Sequence, residues 1–184
     1  GAVEATTIRL AVGDPAGSAV ANAAEHFAEQ ASELSDGAID VEIFTDGTLF
    51  NGDQNAAVNL LGNGTLDATI ISTSGYASFE PNMNAISLPF LFDDMDQFSE
   101  YLAGEPGQAL LESLESQGIS GLSMLTRTPR VTTNSVRPIE SPEDFDGLRI
   151  RVPQNELWVR FFGELGANPT PMNFTEVYTA LQTG

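Results

Sequence analysis

The chain has 184 residues, enough to bury a substantial core, and its 41% hydrophobic and 8% aromatic residues are typical of a globular protein. The formal net charge is −19, with seven arginines, no lysine and 26 acidic residues. This charge argues against nucleic-acid binding and against docking on anionic lipid, because both require a basic surface. No apolar run reaches the roughly 20 residues of a transmembrane helix, and the lack of cysteine fits an oxidising compartment without proving one.

Hydrophobic periodicity predicts alternating strands and helices in the first part of the chain. The predicted elements are a strand at Thr6–Val12, a helix at 18–35, a strand at 39–43, a short helix at 53–61 and a strand at 66–71. Ser18 is the expected N-cap of the first helix. The order strand, helix, strand indicates a parallel sheet with right-handed crossovers. Small polar residues, Ser72 to Gly75, follow the third strand directly.

The remaining sequence continues the α/β pattern. After an irregular segment at 81–92, the predicted elements are helices at 93–103 and 106–117, strands at 119–125 and 131–134, one helical turn capped by Ser141, a strand at 148–152, a helix at 156–165 and a last helix capped by Asn173. We place a lobe boundary at residue 126, which gives a first α/β lobe at 1–126 and the start of a second at 127–184. A crossing made by a strand rather than by a loose linker indicates a hinge.

The positive charges are concentrated beyond this boundary. Residues 1–126 contain Arg9 and 19 acids, a net charge of −18, whereas residues 127–184 contain six arginines and seven acids, a net charge of −1. An anion-binding site in a strongly acidic protein requires such a concentration. The alternative is pairing of these arginines with local acids such as Glu143, Asp144 and Glu156.

The stretch 148–153, Leu-Arg-Ile-Arg-Val-Pro, draws these observations together. Apolar residues alternate with Arg149 and Arg151, and Pro153 cannot donate to a strand ladder, so pairing should end near it. Arg151 is therefore expected at the carboxyl end of a strand, where open α/β sheets bind ligands. Its planar guanidinium matches a carboxylate. A solvated surface arginine is the alternative reading.

The residues of most catalytic chemistries are missing from the sequence. His26 is the only histidine, and its position within a helix favours a surface residue over a catalyst. One histidine without cysteine excludes a zinc site or a Cys/His pair in this chain, and no P-loop, G-x-G-x-x-G or G-x-S-x-G motif occurs. The acids at 93–96 lack the ligand spacing of an EF-hand and fit a solvated helix start better. Binding is therefore favoured over turnover, with no metal and no cofactor.

Four segments together resemble the extracytoplasmic solute-binding proteins of TRAP (tripartite ATP-independent periplasmic) transporters. Residues 166–184, GANPTPMNFTEVYTALQTG, are similar to the family signature GA-x-PTPM-x-F-x-EVY-x-ALQTG. Residues 138–153, PIESPEDFDGLRIRVP, resemble its PI…RVP segment, and GTLD at 64–67 and LPFLF at 88–92 match two upstream motifs. The resemblance spans essentially the whole chain. It implies an α/β, two-lobed, periplasmic-binding-protein-like (type II) fold from which the C-terminal part is missing.

The resemblance also implies ligand contacts. Arg151 corresponds to the arginine that binds the ligand carboxylate, and Arg130 to a second arginine facing it, with Arg127 as a rival because the spacing varies. The other implied contacts are Gln154, Phe174, Ser72, Thr73, Tyr76 and Asp14. The polar run after the third strand departs from relatives that carry an acid or an arginine there, which leaves the substrate subclass open.

The function implied by the resemblance is reception of a small organic acid, such as a sugar acid or another hydroxylated carboxylate, in a cleft between the lobes, and its delivery to TRAP membrane permease subunits. The receptor is expected to be monomeric and periplasmic and to use no nucleotide. Residues 1–5 lack a leader pattern, so we expect any export signal to have been removed. A sensing module of the same fold and an α/β enzyme are the alternatives.

Overall fold

The computed structural model describes residues 5–184 as alternating strands and helices, which confirms the α/β class. In chain order the elements are β1 (Thr6–Val12), α1 (Ala19–Leu34), β2 (Ile39–Phe44), α2 (Gln54–Gly62), β3 (Ala68–Ile70), α3 (Thr73–Tyr76), α4 (Met95–Ala103), α5 (Glu105–Ser113), β4 (Arg149–Val152), α6 (Glu156–Glu164), β5 (Asn168–Pro171) and α7 (Val177–Thr183). Short 3-10 helices lie at Thr48–Phe50, Pro81–Ser87, Leu114–Gln117, Pro142–Phe145 and Phe174–Glu176. The expectation about the leader concerns residues 1–5, and the first four of these lie outside the described residues.

The structure divides into two compact units. Within the described residues, unit 1 runs up to Gly75 and includes Asn173–Gly184, whereas unit 2 is Tyr76–Met172. The boundary drawn at residue 126 from the change in charge remains a prediction for the whole protein.

β1 is the central strand of unit 1, in a parallel three-stranded sheet with the order β2-β1-β3. Its side chains alternate between the two faces of the sheet. Leu10 and Val12 belong to a buried cluster with Ala24 of α1, and Ala11 belongs to a second cluster with Phe50. Burial on both faces explains why the second half of β1 is continuously apolar.

The helices of unit 1 begin at side-chain caps. Ser18 accepts a hydrogen bond from the N–H of Ala21 at 3.1 Å, which confirms the predicted N-cap of α1. Asp53 accepts from the N–H groups of Asn55 and Ala56 and caps α2. These carboxylate and hydroxyl oxygens satisfy N–H groups that have no partner within the helix.

A second parallel pair, β4 and β5, is joined through α6 in unit 2. Leu148 is buried just before β4, Val152 is buried at its last position, and Ala167 is buried just before β5. The sequence analysis missed β5 because prolines 169 and 171 disfavour a strand. β5 tolerates both prolines because it is paired only with β4 in the described residues.

Two predicted strands, at 119–125 and 131–134, are wrong, because residues 119–134 form neither helix nor strand. Leu122, Leu125 and Val131 in this segment are 75%, 53% and 83% exposed. β-propensity is expressed only where a neighbouring strand accepts the backbone hydrogen bonds and covers the side chains. No strand in the described part of the chain pairs with this segment.

The predicted cap at Asn173 is also wrong, because this residue precedes the turn at Phe174–Glu176 without a capping hydrogen bond from its side chain. The N–H of Glu176 instead donates to the main-chain carbonyl of Asn173 at 3.1 Å. The donor that a side-chain cap would use is therefore already satisfied.

Candidate functional site

Arg151 is the next-to-last residue of β4, so the structure places it at the carboxyl end of the strand, as predicted. Its Nε and Nη2 donate to the carbonyl oxygen of Met172, at 3.1 and 2.8 Å. Met172 is held beside the strand end, since its own N–H donates to the carbonyl of Val152 at 3.1 Å. These bonds set the direction of the guanidinium but do not neutralise it, because a carbonyl carries no net charge.

Arg130 lies against the aromatic ring of Trp158. Its Cζ is 5.5 Å from the ring centroid, within the roughly 6 Å over which a cation is attracted to the face of an indole. Arg130 belongs to the irregular segment and is exposed as a residue, whereas Trp158 is half-buried near the start of α6. The ring therefore gives the guanidinium a defined position in a segment that has no regular structure.

Neighbouring arginines act on the pKa values of Arg151 and Arg130 in unit 2. Desolvation and, to a lesser extent, the charge of Arg130 lower the pKa of Arg151 from its usual range. Desolvation and the charge of Arg127 do the same to the pKa of Arg130. Like charges that are partly withdrawn from water raise the energy of the folded protein, and a bound anion would lower it. The arrangement thus has the chemistry of an anion site.

Gln154 follows directly after Pro153 and is half-buried. Its neighbour Asn155 is only 5% exposed and caps α6, accepting from the N–H of Leu157 at 2.8 Å. The Asn155 side chain also donates to Oδ1 of Asn84 at 2.8 Å, a contact between residues 71 positions apart in sequence. The chain that leaves β4 is therefore anchored one residue beyond Gln154.

Asp14, Ser72 and Thr73 lie on unit 1, where β1 and β3 end. The two strands are parallel and paired from Leu10 with Ala68 onwards, so the loops that follow them emerge at one edge of the sheet. The structure therefore places the predicted residues of both loops at a common sheet edge. Asp14 and the two hydroxyl residues are half-buried there.

The loop after β3 turns at once into α3. The N–H of Ser74 donates to Oγ of Ser72 at 3.3 Å, and the N–H of Gly75 donates to the carbonyl of Ser72 at 3.0 Å. A Cβ at Gly75 would lie 3.1 Å from Cβ of Gln54, which explains why a small residue occupies the position. Gly75 thus allows this loop to pack closely against α2.

Tyr76 and Phe174, the two aromatic candidates, differ in burial. Tyr76 is the half-buried last residue of α3, and its carbonyl accepts from the N–H groups of Phe79 and Glu80, both at 2.9 Å. Phe174 opens the turn after Asn173 and is 48% exposed. Phe174 belongs to unit 1, whereas Tyr76 belongs to unit 2.

Three other arginines have local partners. One of them, Arg160, pairs with Glu156, as the alternative of local ion pairs predicts. Arg160 bonds Glu156 one helical turn away, and both side chains are largely exposed. Arg9 bonds Asp67 in unit 1. Arg137 donates to the carbonyl of Asp146 at 3.1 Å. These contacts show that Arg9, Arg137 and Arg160 take part in local structure.

The sequence analysis did not single out Trp158 or Asn155 as residues of this site. Trp158 lies within the helix predicted at 156–165, but its contact with Arg130 joins residues 28 positions apart, which periodicity does not predict. The available signal was that the only tryptophan of the chain lies in its arginine-rich third. Asn155 carried the weaker signal of a residue type favoured at helix N-caps.

The described residues 5–184 contain neither a cluster of metal ligands nor a helix that could span a membrane. No group of three or more histidine, cysteine, aspartate or glutamate side chains in this range could hold a metal ion. None of the helices described is both long and apolar enough to cross a membrane. His26 is exposed on α1, in agreement with its prediction as a surface residue.

Comparison with known proteins gives a family match over almost the whole chain. Residues 11–184 match the profile of the bacterial extracellular solute-binding proteins, family 7. Among curated proteins, the 2,3-diketo-L-gulonate-binding periplasmic protein YiaO of Escherichia coli is 35% identical over 161 residues, which are 88% of this chain and 48% of YiaO. The chain spans about half the length of the curated relatives it matches.

Solved structures agree with the family match. A TRAP periplasmic solute-binding protein from Sulfitobacter sp. NAS-14.1, with bound β-D-galacturonate, is 36% identical with a TM-score of 0.92, and the match covers 97% of this chain and 59% of that one. The sugar acid binding protein DctPAm from Advenella mimigardefordensis, in complex with galactonate, is 37% identical with a TM-score of 0.91, and the match covers 99% and 58%. The predicted resemblance to the TRAP solute-binding family is confirmed.

Proposed function

Because the chain belongs to family 7 of the bacterial extracellular solute-binding proteins, we propose that the whole protein is a receptor for a small organic acid. The acid is a sugar acid or another hydroxylated carboxylate. The receptor binds it without turnover, as the relatives named above are binding proteins.

The observation that carries the proposal is the arrangement of Arg151 and Arg130. Arg151 is aimed by the Met172 carbonyl at the end of β4, and desolvation and then the neighbouring charge of Arg130 lower its pKa. A carboxylate between the two guanidinium groups would offset their repulsion and accept a charge-assisted hydrogen bond from each. Arg130 is favoured over Arg127 as the second contact because the charge of Arg130 acts on Arg151.

The ligands of the relatives support the choice of a hydroxylated acid. Galacturonate, galactonate and 2,3-diketo-L-gulonate each combine one carboxylate with several oxygen functions along a short carbon chain. Gln154, one position beyond the proline that ends β4, has an amide that can both donate to and accept from a hydroxyl group. We assign it as the hydroxyl partner nearest to the arginines.

The remaining predicted contacts are Asp14, Ser72, Thr73, Tyr76 and Phe174, and they stay predictions from the resemblance. The proposal extends to the setting in which the receptor works. It is a monomeric periplasmic protein that passes its ligand to the membrane subunits of a TRAP permease, as expected for a relative of periplasmic TRAP binding proteins.

A thermal-shift screen of the full-length protein tests this function. The panel contains D-galacturonate, D-glucuronate, D-galactonate and succinate, with uncharged D-galactose as the control. We expect at least one sugar acid to raise the melting temperature and galactose to leave it unchanged, since only the acids bring a carboxylate to the arginines. A panel without any stabilising acid would contradict the proposal.

A further inference from the structure

We propose that Trp158 is a positioning residue, which holds the Arg130 guanidinium beside Arg151 in the orientation that a carboxylate needs. The inference rests on the proposed function and adds a residue that belongs to none of the motifs of the family resemblance. Trp158, the single tryptophan of the chain, would thus raise the affinity for the acid by holding Arg130.

The first reason is that Arg130 itself belongs to no helix or strand. It lies in a segment without helix or strand, and its neighbours Pro129 and Val131 are exposed. A long side chain on such a segment would sample many orientations and lose that freedom on binding. The indole 5.5 Å from its Cζ is a fixed surface that reduces this loss before the ligand arrives.

The second reason is that Trp158 is itself held by other rings. It stacks on Phe162 with centroids 6.5 Å apart and an interplanar angle of 29°, and it meets Phe161 edge-on at 6.4 Å. Phe162 in turn contacts Phe145, at 5.7 Å. The face offered to Arg130 therefore belongs to an aromatic cluster on α6, a helix that starts four residues after the end of β4.

The third reason is electrostatic. Arg127 and Arg151 both carry positive charge near Arg130, so repulsion acts against its position. The negative potential over the indole face attracts a guanidinium and offsets part of this repulsion without cancelling the charge. An aspartate in the same place would also hold Arg130, but it would neutralise the charge that the ligand carboxylate requires.

The test measures the dissociation constant for D-galacturonate by calorimetry in the full-length protein. The substitutions are Trp158→Leu and Trp158→Phe, each also made in an Arg130→Ala background. We expect Trp158→Leu to weaken binding about fivefold to thirtyfold, the range of a partly desolvated cation–π contact, and Trp158→Phe to weaken it less. With Arg130 already removed, Trp158→Leu should change nothing further. Phe98→Leu, in the separate aromatic cluster with Phe92 and Tyr101, is the control expected to bind as wild type.

A second measurement excludes an effect on folding alone. Tryptophan analogues with one, two and four ring fluorines, inserted at position 158, keep the shape of the ring while reducing the negative potential of its face. Affinity should fall stepwise along the series at an unchanged melting temperature. Equal affinities along the series would overturn the inference, and so would an equal loss of affinity from Trp158→Leu with and without Arg130. In either case the proposed function still stands if the wild-type protein binds D-galacturonate. A wild-type protein that binds no acid of the panel would overturn both.

Discussion

Arg9 in β1 and Arg151 in β4 occupy similar strands but have different partners. Each lies in the first strand of a parallel β-α-β unit and alternates with apolar residues. The Nε of Arg9 is 3.4 Å from Oδ2 of Asp67, and its Nη2 donates to the carbonyl of Thr65 at 2.6 Å. Arg151 donates twice to the carbonyl of Met172.

We propose that this difference is what separates a structural arginine from a binding one in an acidic protein. The charge of Arg9 is offset by a carboxylate that the fold supplies, and the pair lies at the protein surface, with side chains 46% and 39% exposed. Two hydrogen bonds of Arg151 go to a neutral carbonyl, which sets the direction of the guanidinium and does not offset its charge. Arg9 also lies within its strand, whereas Arg151 is one residue from the end of its own.

The largest expected effect is on binding, from Arg151→Met in the full-length protein. We expect affinity for D-galacturonate to fall by about 2–5 kcal/mol, because the ligand carboxylate loses its partner and the Met172 carbonyl loses its donors. Isothermal titration calorimetry measures the change. The matched control is Arg160→Met, which removes an exposed arginine paired with Glu156 and should bind as wild type. A wild-type affinity for Arg151→Met would show that this arginine is a structural one like Arg9.

Next in size is a loss of stability from Asn155→Ala. The change removes the N-cap of α6 and leaves the Asn84 amide oxygen without its donor, and we expect a cost of about 1–3 kcal/mol. Urea unfolding measures it. Ser18→Ala, which removes the corresponding cap of α1, should cost less because Ser18 makes no second contact of this kind. Equal costs would mean that the buried Asn84 contact contributes nothing to the anchoring of the β4–α6 connection.

A smaller effect is expected from Arg9→Met in unit 1. Because the pair with Asp67 is largely exposed, its loss should lower the free energy of unfolding by no more than about 1 kcal/mol. Affinity for D-galacturonate should stay at the wild-type value. A reduced affinity at unchanged stability would show that Arg9 contributes to ligand binding and would contradict its role as a structural arginine.

The smallest expected effect is on stability and concerns Asp144, whose carboxylate accepts the hydrogen bonds that hold the turn at Pro142–Phe145. Hydrogen bonds from the N–H groups of Glu140 and Ser141, and then from the Ser141 hydroxyl, lower the pKa of Asp144 below its ordinary value, and Arg137 adds to this. Since the folded pKa is the lower one, the stabilisation is complete above the unfolded value of about 3.9 and is lost as the pH falls through the folded value.

Asp144→Asn should therefore be less stable than wild type at pH 6, and the difference should shrink as the pH falls below about 4. Urea unfolding at pH 6, 4 and 3 measures the difference. A difference that stays constant over this range would show that the carboxylate charge does not matter to the turn.

The sequence predicted those features that depend on local pattern. The bounds of β1, the Ser18 cap and the position of Arg151 at a strand end follow from periodicity, cap chemistry and a proline, all of which act within a few residues. The strands predicted at 119–125 and 131–134 were wrong because local propensity does not supply a pairing partner.

The parts of the site that could not be predicted depend on contacts between distant residues. Trp158 lies under Arg130 from 28 positions away, and Asn84 bonds Asn155 from 71 positions away. The hydrogen bond from Arg151 to the Met172 carbonyl depends on the register of β4 and β5. The sequence does not predict β5, because its two prolines disfavour a strand. No periodicity within a single element encodes such contacts.

The central claim of the proposed function is that Arg151 binds the carboxylate of the ligand. The most direct test compares calorimetric affinities for D-galacturonate and for its uncharged analogue D-galactose, in wild type and in Arg151→Met. The account predicts that wild type prefers the acid by a factor of at least about 30 and that Arg151→Met loses most of this preference. A variant that retained the wild-type preference for the acid would contradict it.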